Sequence, residues 1–123
     1  MTARPYVLLV EDDLDISESI QAILEEENYQ VQCKFNGKEA MEYLMNAEVE
    51  PSLILLDVMM PLMNGYQFRE AQLKNSRISN IPTIILSASN ELQNGEQFHF
   101  TDFIKKPLDV ETLLDAIKNN ILH

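Results

Sequence analysis

The chain predicts an α/β fold, a five-stranded parallel, doubly wound sheet with helices on both faces, and three observations carry that prediction. Four short apolar runs stop at or just before a charged or hydroxylic residue: Val7-Leu8-Leu9-Val10 before Glu11-Asp12, Leu53-Ile54-Leu55-Leu56 before Asp57, Ile84-Ile85-Leu86 before Ser87, and Phe103-Ile104 shortly before Lys106. Unbroken apolar runs of this length mark strands buried on both faces. Segments with apolar residues at helical spacing lie between them, and 123 residues suit one domain, spanning 1–123, with a real core. Alternating strands and helices imply right-handed crossovers, and such sheets gather their chemistry beyond the carboxyl ends of their strands.

The elements follow in order. Strand one is the Val7–Val10 run. The first helix follows Asp13 and carries Ile16, Ile20, Ile23 and Leu24 on one face; Glu25, Glu26 and Glu27 oppose the helix dipole in its last turn, so that end is expected to be exposed and to fray. Gln30 to Lys34 reads as a second strand near an edge, where Cys33 alternates with Val31 and Phe35 as a buried structural thiol. Asn36-Gly37-Lys38-Glu39 opens a second helix, with an acid three positions after the cap, and Ala40, Met41 and Leu44 face inward. After the third strand, Pro61 to Gly65 form a loop before a helix containing Phe68 and Leu73. Pro82 announces the fourth strand, Thr83 to Leu86.

From Ala88 to Thr101 the pattern is weakest: Gly95 interrupts and no apolar stripe forms, so the fourth helix is expected to be irregular or shortened. Asp102 to Ile104 reads as strand five. Asp109 then caps a final helix with Leu113, Leu114, Ile117 and Ile121 turned inward.

Composition narrows function. The net charge of -11 argues against direct contact with nucleic-acid phosphates or anionic membranes. One cysteine excludes an internal disulfide, and there is neither a spanning apolar stretch nor a signal-peptide pattern. A cytoplasmic protein is the expectation.

Glu11, Asp12 and Asp57 are hard oxygen ligands with no His or Cys among them, a set that suits magnesium, with manganese as the alternative. An Asp at such a site can attack a phosphoryl group and form an aspartyl-phosphate, while Ser87 and Lys106 contact its oxygens. Each residue alone has a plainer reading: acids after strands cap helices, Ser87 is a turn residue, and a Lys-Pro pair is a solvated turn. Their positions after separate strands carry the signal.

Four stretches then resemble the receiver domain of bacterial two-component response regulators: Val7-Leu8-Leu9-Val10-Glu11-Asp12-Asp13, Leu55 to Gly65, Thr83-Ile84-Ile85-Leu86-Ser87-Ala88, and Asp102-Phe103-Ile104-Lys105-Lys106-Pro107. The resemblance is to the single-domain, chemotaxis-type members, and it implies the flavodoxin-like strand order 2-1-3-4-5. It also implies that Asp57 accepts phosphate from a phosphohistidine on a sensor histidine kinase or histidine phosphotransfer protein. Glu11, Asp12, Asp57 and the backbone carbonyl of Met59 would hold the metal. Ser87, the backbone amide of Ala88 and Lys106 would bind the phosphoryl oxygens, with Asp13 outside this set. Phe103 would be the switch aromatic acting on a downstream protein target.

Two departures stand out. Phe103 lacks the hydroxyl of the more usual tyrosine, and Phe98-His99-Phe100-Thr101 replaces the customary small residues before strand five. Two other classes share the architecture. A magnesium-dependent phosphohydrolase with an Asp nucleophile would want a second acid where Met59 stands. A flavin carrier would want a phosphate-cradling loop after strand one, where Glu11, Asp12 and Asp13 repel phosphate instead.

Overall fold

The computed structural model describes residues 5–58, 62–87, 102–105 and 109–121. Five strands, β1 (Tyr6–Val10), β2 (Gln30–Lys34), β3 (Leu53–Asp57), β4 (Thr83–Ser87) and β5 (Asp102–Lys105), form one sheet in the order β2-β1-β3-β4-β5. All four pairings are parallel. The described helices are α1 (Leu14–Glu26), α2 (Gly37–Asn46), α3 (Gly65–Leu73) and α4 (Val110–Asn120). The stretch 88–101, where an irregular fourth helix was expected, lies outside the described residues, so the last helix of the sequence is α4.

The period of two divides the core between the sheet's faces. Val7, Leu9, Leu53, Leu55, Ile84, Leu86 and Ile104 pack with Ile20, Leu24, Leu113 and Ile117 of α1 and α4. Leu8, Val10, Ile54, Leu56 and Ile85 pack with Ala40, Leu44 and Phe68 of α2 and α3. Every residue of β3 is buried, which explains its unbroken apolar spelling.

Several local expectations change. The end of α1 is closed: Asn28 takes φ 68°, its N–H donates to Glu25 O at 3.1 Å, and Tyr29 N–H donates to Leu24 O at 3.1 Å. This pair of bonds around a left-handed Asn satisfies the last carbonyls despite the acidic turn. Cys33 is half-buried and its thiol donates to Gln21 Oε1 at 3.4 Å. Phe35 lies beyond β2 and is exposed, and Met41 and Leu114 are only partly buried against the core.

Polar side chains build two braces, one buried and one exposed. Buried Arg69 donates from Nη1 to Gln72 Oε1 (2.9 Å) and Thr83 Oγ1 (3.0 Å), while Gln72 Nε2 donates to the carbonyls of Ile78 and Ile81. Burial lowers the Arg69 pKa from its ordinary value, as desolvation of a cation requires. Arg77 ties the end of α2 to the loop before β3, donating to the carbonyls of Met45 and Ala47 and pairing with Glu50 at 3.0 Å. Among the described residues, no helix is long and apolar enough to cross a membrane.

Candidate cation and phosphoryl site

The chain leaves β1 at Val10, and the Glu11 amide extends the ladder by donating to Lys34 O at 3.0 Å. That bond holds the following residues at the carboxyl edge of the sheet. Glu11 is buried, 1% exposed, and its Oε2 accepts from Asp13 N–H at 3.2 Å; Asp12 is exposed. Asp13 points elsewhere. Its Oδ1 accepts from the N–H groups of Asp15 and Ile16 at 2.9 and 3.1 Å, so it is the cap of α1 and not a member of the cluster.

Asp57 is the last residue of β3, opposite Leu86 of β4, and only 3% exposed. Gly65 N–H, at the start of α3, donates to Val58 O at 2.8 Å. A Cβ on Gly65 would stand 2.8 Å from Asp57 O and 2.9 Å from Val58 Cα, so only glycine lets α3 begin this close to the end of β3. Asn64 and Gln67 form a reciprocal capping box there, each side chain accepting the other's N–H at 2.9 Å.

Glu11, Asp12 and Asp57 each offer a carboxylate oxygen, and the three lie within 4.8 Å of one another. Three hard carboxylate oxygens gathered this closely are the donors a magnesium ion takes, and Glu11, Asp12 and Asp57 would hold it between them. The donor set fits the metal in its chemistry. Buried acids so close together repel unless a cation or donors compensate, and a divalent ion does so directly.

The other strand ends arrive at the same edge. Ser87 closes β4 and is in register with Lys105 of β5, and Phe103 is in register with Ile85. Met59, Ala88 and Lys106 lie outside the described residues, as do the side chains of Ser87 and Phe103. Two elements were missed from sequence: the tight Gly65 approach, and the Asn64 cap, whose partner Gln67 stood three residues on as a readable signal.

Comparison with known proteins agrees with the geometry. The family model described as the response regulator receiver domain matches residues 7–118. The chain is 37% identical over 115 residues to the transcriptional regulatory protein CrdR of Helicobacter pylori, covering 91% of this chain and 53% of that protein. The chain spans about half the length of the curated relatives it matches. Among solved structures, it is similar to the signal receiver domain of a signal transduction histidine kinase from Syntrophus aciditrophicus, with TM-score 0.87 and 31% identity over 94% of this chain and 88% of that one. The receiver domain of a Pseudomonas aeruginosa sensor histidine kinase, solved with magnesium coordinated in its active site cleft, shares the fold at TM-score 0.86 and 24% identity, covering 96% and 98%. None of these matches supports the phosphohydrolase alternative.

Proposed function

The chain belongs to the response regulator receiver domain family, and from that premise we propose that it is the phospho-acceptor of a two-component phosphorelay, with Asp57 as the residue that takes the phosphoryl group. One observation carries the reading: the carboxylates of Glu11, Asp12 and Asp57 converge from two strand ends on a volume that suits a single cation.

A carboxylate oxygen of Asp57 forms the new P–O bond as the P–N bond of a donor phosphohistidine breaks, and the imidazole nitrogen keeps the electron pair and takes up a proton. Glu11, Asp12, Asp57 and the backbone carbonyl of Met59 would hold magnesium or manganese, which when bound would neutralise the transferring group's charge. Ser87, the Ala88 amide and Lys106 hold the phosphoryl oxygens, and Phe103 reads the outcome. Catalysis in this reading is limited to the protein's own phosphorylation and dephosphorylation.

The partners are a sensor histidine kinase or phosphotransfer protein and a downstream protein target, in a cytoplasmic setting. Residues 1–123 act as one receiver unit. With a charge of -11 this unit does not itself grip nucleic acid; the names of the transcriptional relatives belong to proteins about twice as long.

Incubation with magnesium and a small phosphodonor such as phosphoramidate, followed by intact-mass measurement, tests this. One phosphate per chain is expected, absent in Asp57→Ala. Sustained turnover of the donor without an adduct, or an adduct that survives Asp57→Ala, overturns the assignment.

A further inference from the structure

β2 is an outer strand of the sheet, paired on one side with β1. Successive residues of a strand turn their backbone groups to opposite edges. Gln30 N–H donates to Pro5 O and Lys34 O accepts from Glu11 N–H, so residues 30, 32 and 34 face β1 while 31, 33 and 35 face outward. At Phe35 the outward N–H is taken by Glu39 Oε1 at 3.3 Å. Val31 and Cys33 present their N–H and C=O groups at the open edge. The register with β1 runs from Gln30 to Lys34 without a bulge, and the strand holds no proline. Its one charged residue, Lys34, lies with Nζ 5.2 Å from the centre of the Tyr43 ring. Bulges, prolines and projecting charges are the devices that blunt an edge against pairing, and this edge is nearly without them.

The two faces of this edge differ. On the α1 face, Val31 and Cys33 are half-buried and pack with Ile16 and Ile23 against the core. On the α2 face, a groove runs between β2 and α2. One part, of about 600 Å³, is lined by Tyr6, Gln30, Gln32, Glu48 and Val49. The next, of about 490 Å³, is lined by Lys34, Phe35, Glu39 and Glu42, and Tyr43 and Ala47 line both parts. Hydrogen bonds fix this lining: the Tyr6 hydroxyl donates to Val49 O, and the Tyr43 hydroxyl donates to the Tyr6 oxygen at 3.3 Å. Phe35 and Val49 are exposed apolar side chains beside it. Glu39, Glu42 and Glu48 against Lys34 leave the groove acidic.

We propose that the open edge of β2 and the groove beside it form a docking site for an extended basic segment of a partner protein, which adds a strand to the sheet. The backbone of that segment pairs with the outward groups of Val31 and Cys33. Its side chains alternate between the faces, apolar ones beside Val31 and Cys33 and Lys or Arg over the groove with Glu42 and Glu48. Charge selects this occupant. A second copy of the chain carries the same -11 and would meet like charge, whereas a basic strand meets its opposite. The inference does not rest on the cation site.

The test adds the acetylated, amidated peptide Lys-Val-Lys-Val-Lys-Val-Lys to the protein, with calorimetry for affinity and amide hydrogen exchange by NMR for position. Its isomer Val-Val-Val-Lys-Lys-Lys-Lys controls for charge alone. The alternating peptide is expected to bind one per chain, about tenfold tighter than the isomer, and to slow exchange of the Val31 and Cys33 amides. Glu42→Lys combined with Glu48→Lys should weaken it by about tenfold or more. Val31→Pro keeps the ladder with β1 but removes an outward donor, and should also cost about tenfold. No binding, equal affinity for the two isomers, or unchanged affinity in either folded variant overturns the proposal. So does a complex in which the Val31 and Cys33 amides exchange as fast as before. Slowed exchange of those amides in the protein alone as its concentration rises, with a dimer in sedimentation, overturns it in favour of a second copy. Should Val31→Pro fail to fold, the exchange rates in the unsubstituted protein still decide.

Discussion

Glu11 and Asp57 bring carboxylate oxygens within 4.8 Å of each other from the ends of neighbouring strands, and both residues are almost fully buried. A cation shared by such a pair offsets their mutual repulsion and so favours the folded state. Mg2+ should therefore stabilise the protein, by about 1.4 kcal/mol at tenfold over its Kd. Asp12→Ala should lose most of this gain. Asp57→Asn should lose it too. Urea unfolding with and without Mg2+ checks both; an Asp57→Asn protein that still gains as much would show that the cation binds elsewhere.

Gln72 offers a second test, remote from the site. It is fully buried, accepts from Arg69 and donates to Ile78 O and Ile81 O. Gln72→Leu keeps the volume but takes one donor from each of two carbonyls, which retain Ile81 N–H and Thr83 Oγ1, and one acceptor from a buried guanidinium, so a loss of about 1–3 kcal/mol is expected. Denaturant unfolding measures it. A loss below about 0.5 kcal/mol would mean that water replaces the amide.

Leu62 holds a left-handed backbone with its side chain in solvent. Glycine has no Cβ to penalise that conformation, so Leu62→Gly should raise stability by up to about 1 kcal/mol, partly offset by the extra freedom glycine gives the unfolded chain. Thermal unfolding reads the sign. A clear loss would show that the exposed side chain makes a packing contribution larger than the strain.

Strands were legible wherever both faces are buried. The spelling of β3 is continuous because no position faces water, and Asp57 was conspicuous because it ends that run. The site was legible for the same reason, since a strand terminus fixes which end of the sheet a residue occupies. What escaped depends on backbone conformation or on pairing across the fold. Asn28 closes α1 only because it enters the left-handed region, which an acidic last turn gives no reason to expect. Arg69 and Gln72 carry no mark of burial in the sequence, and only when α3 is packed against β4 do they and Thr83 satisfy one another's hydrogen bonds.

Asp109 carries the clearest pH dependence. It caps α4, its Oδ2 accepting from Thr112 N–H at 3.0 Å and from Thr112 Oγ1 at 2.9 Å. These bonds, the backbone one first, favour the charged carboxylate and lower its pKa from the ordinary value of 3.8. The folded state thus releases this proton more readily than the unfolded state does. Its contribution is present above the unfolded pKa and is lost as pH falls through the folded one. Asp109→Asn keeps a capping oxygen without the titration. Urea midpoints of the two proteins from neutral pH down to about pH 3 should diverge most at neutral pH, with the unsubstituted protein ahead, and converge under acid. A gap that widens as pH falls would mean that the charge on Asp109 is a liability among the neighbouring acids, Glu111 first among them on the same turn.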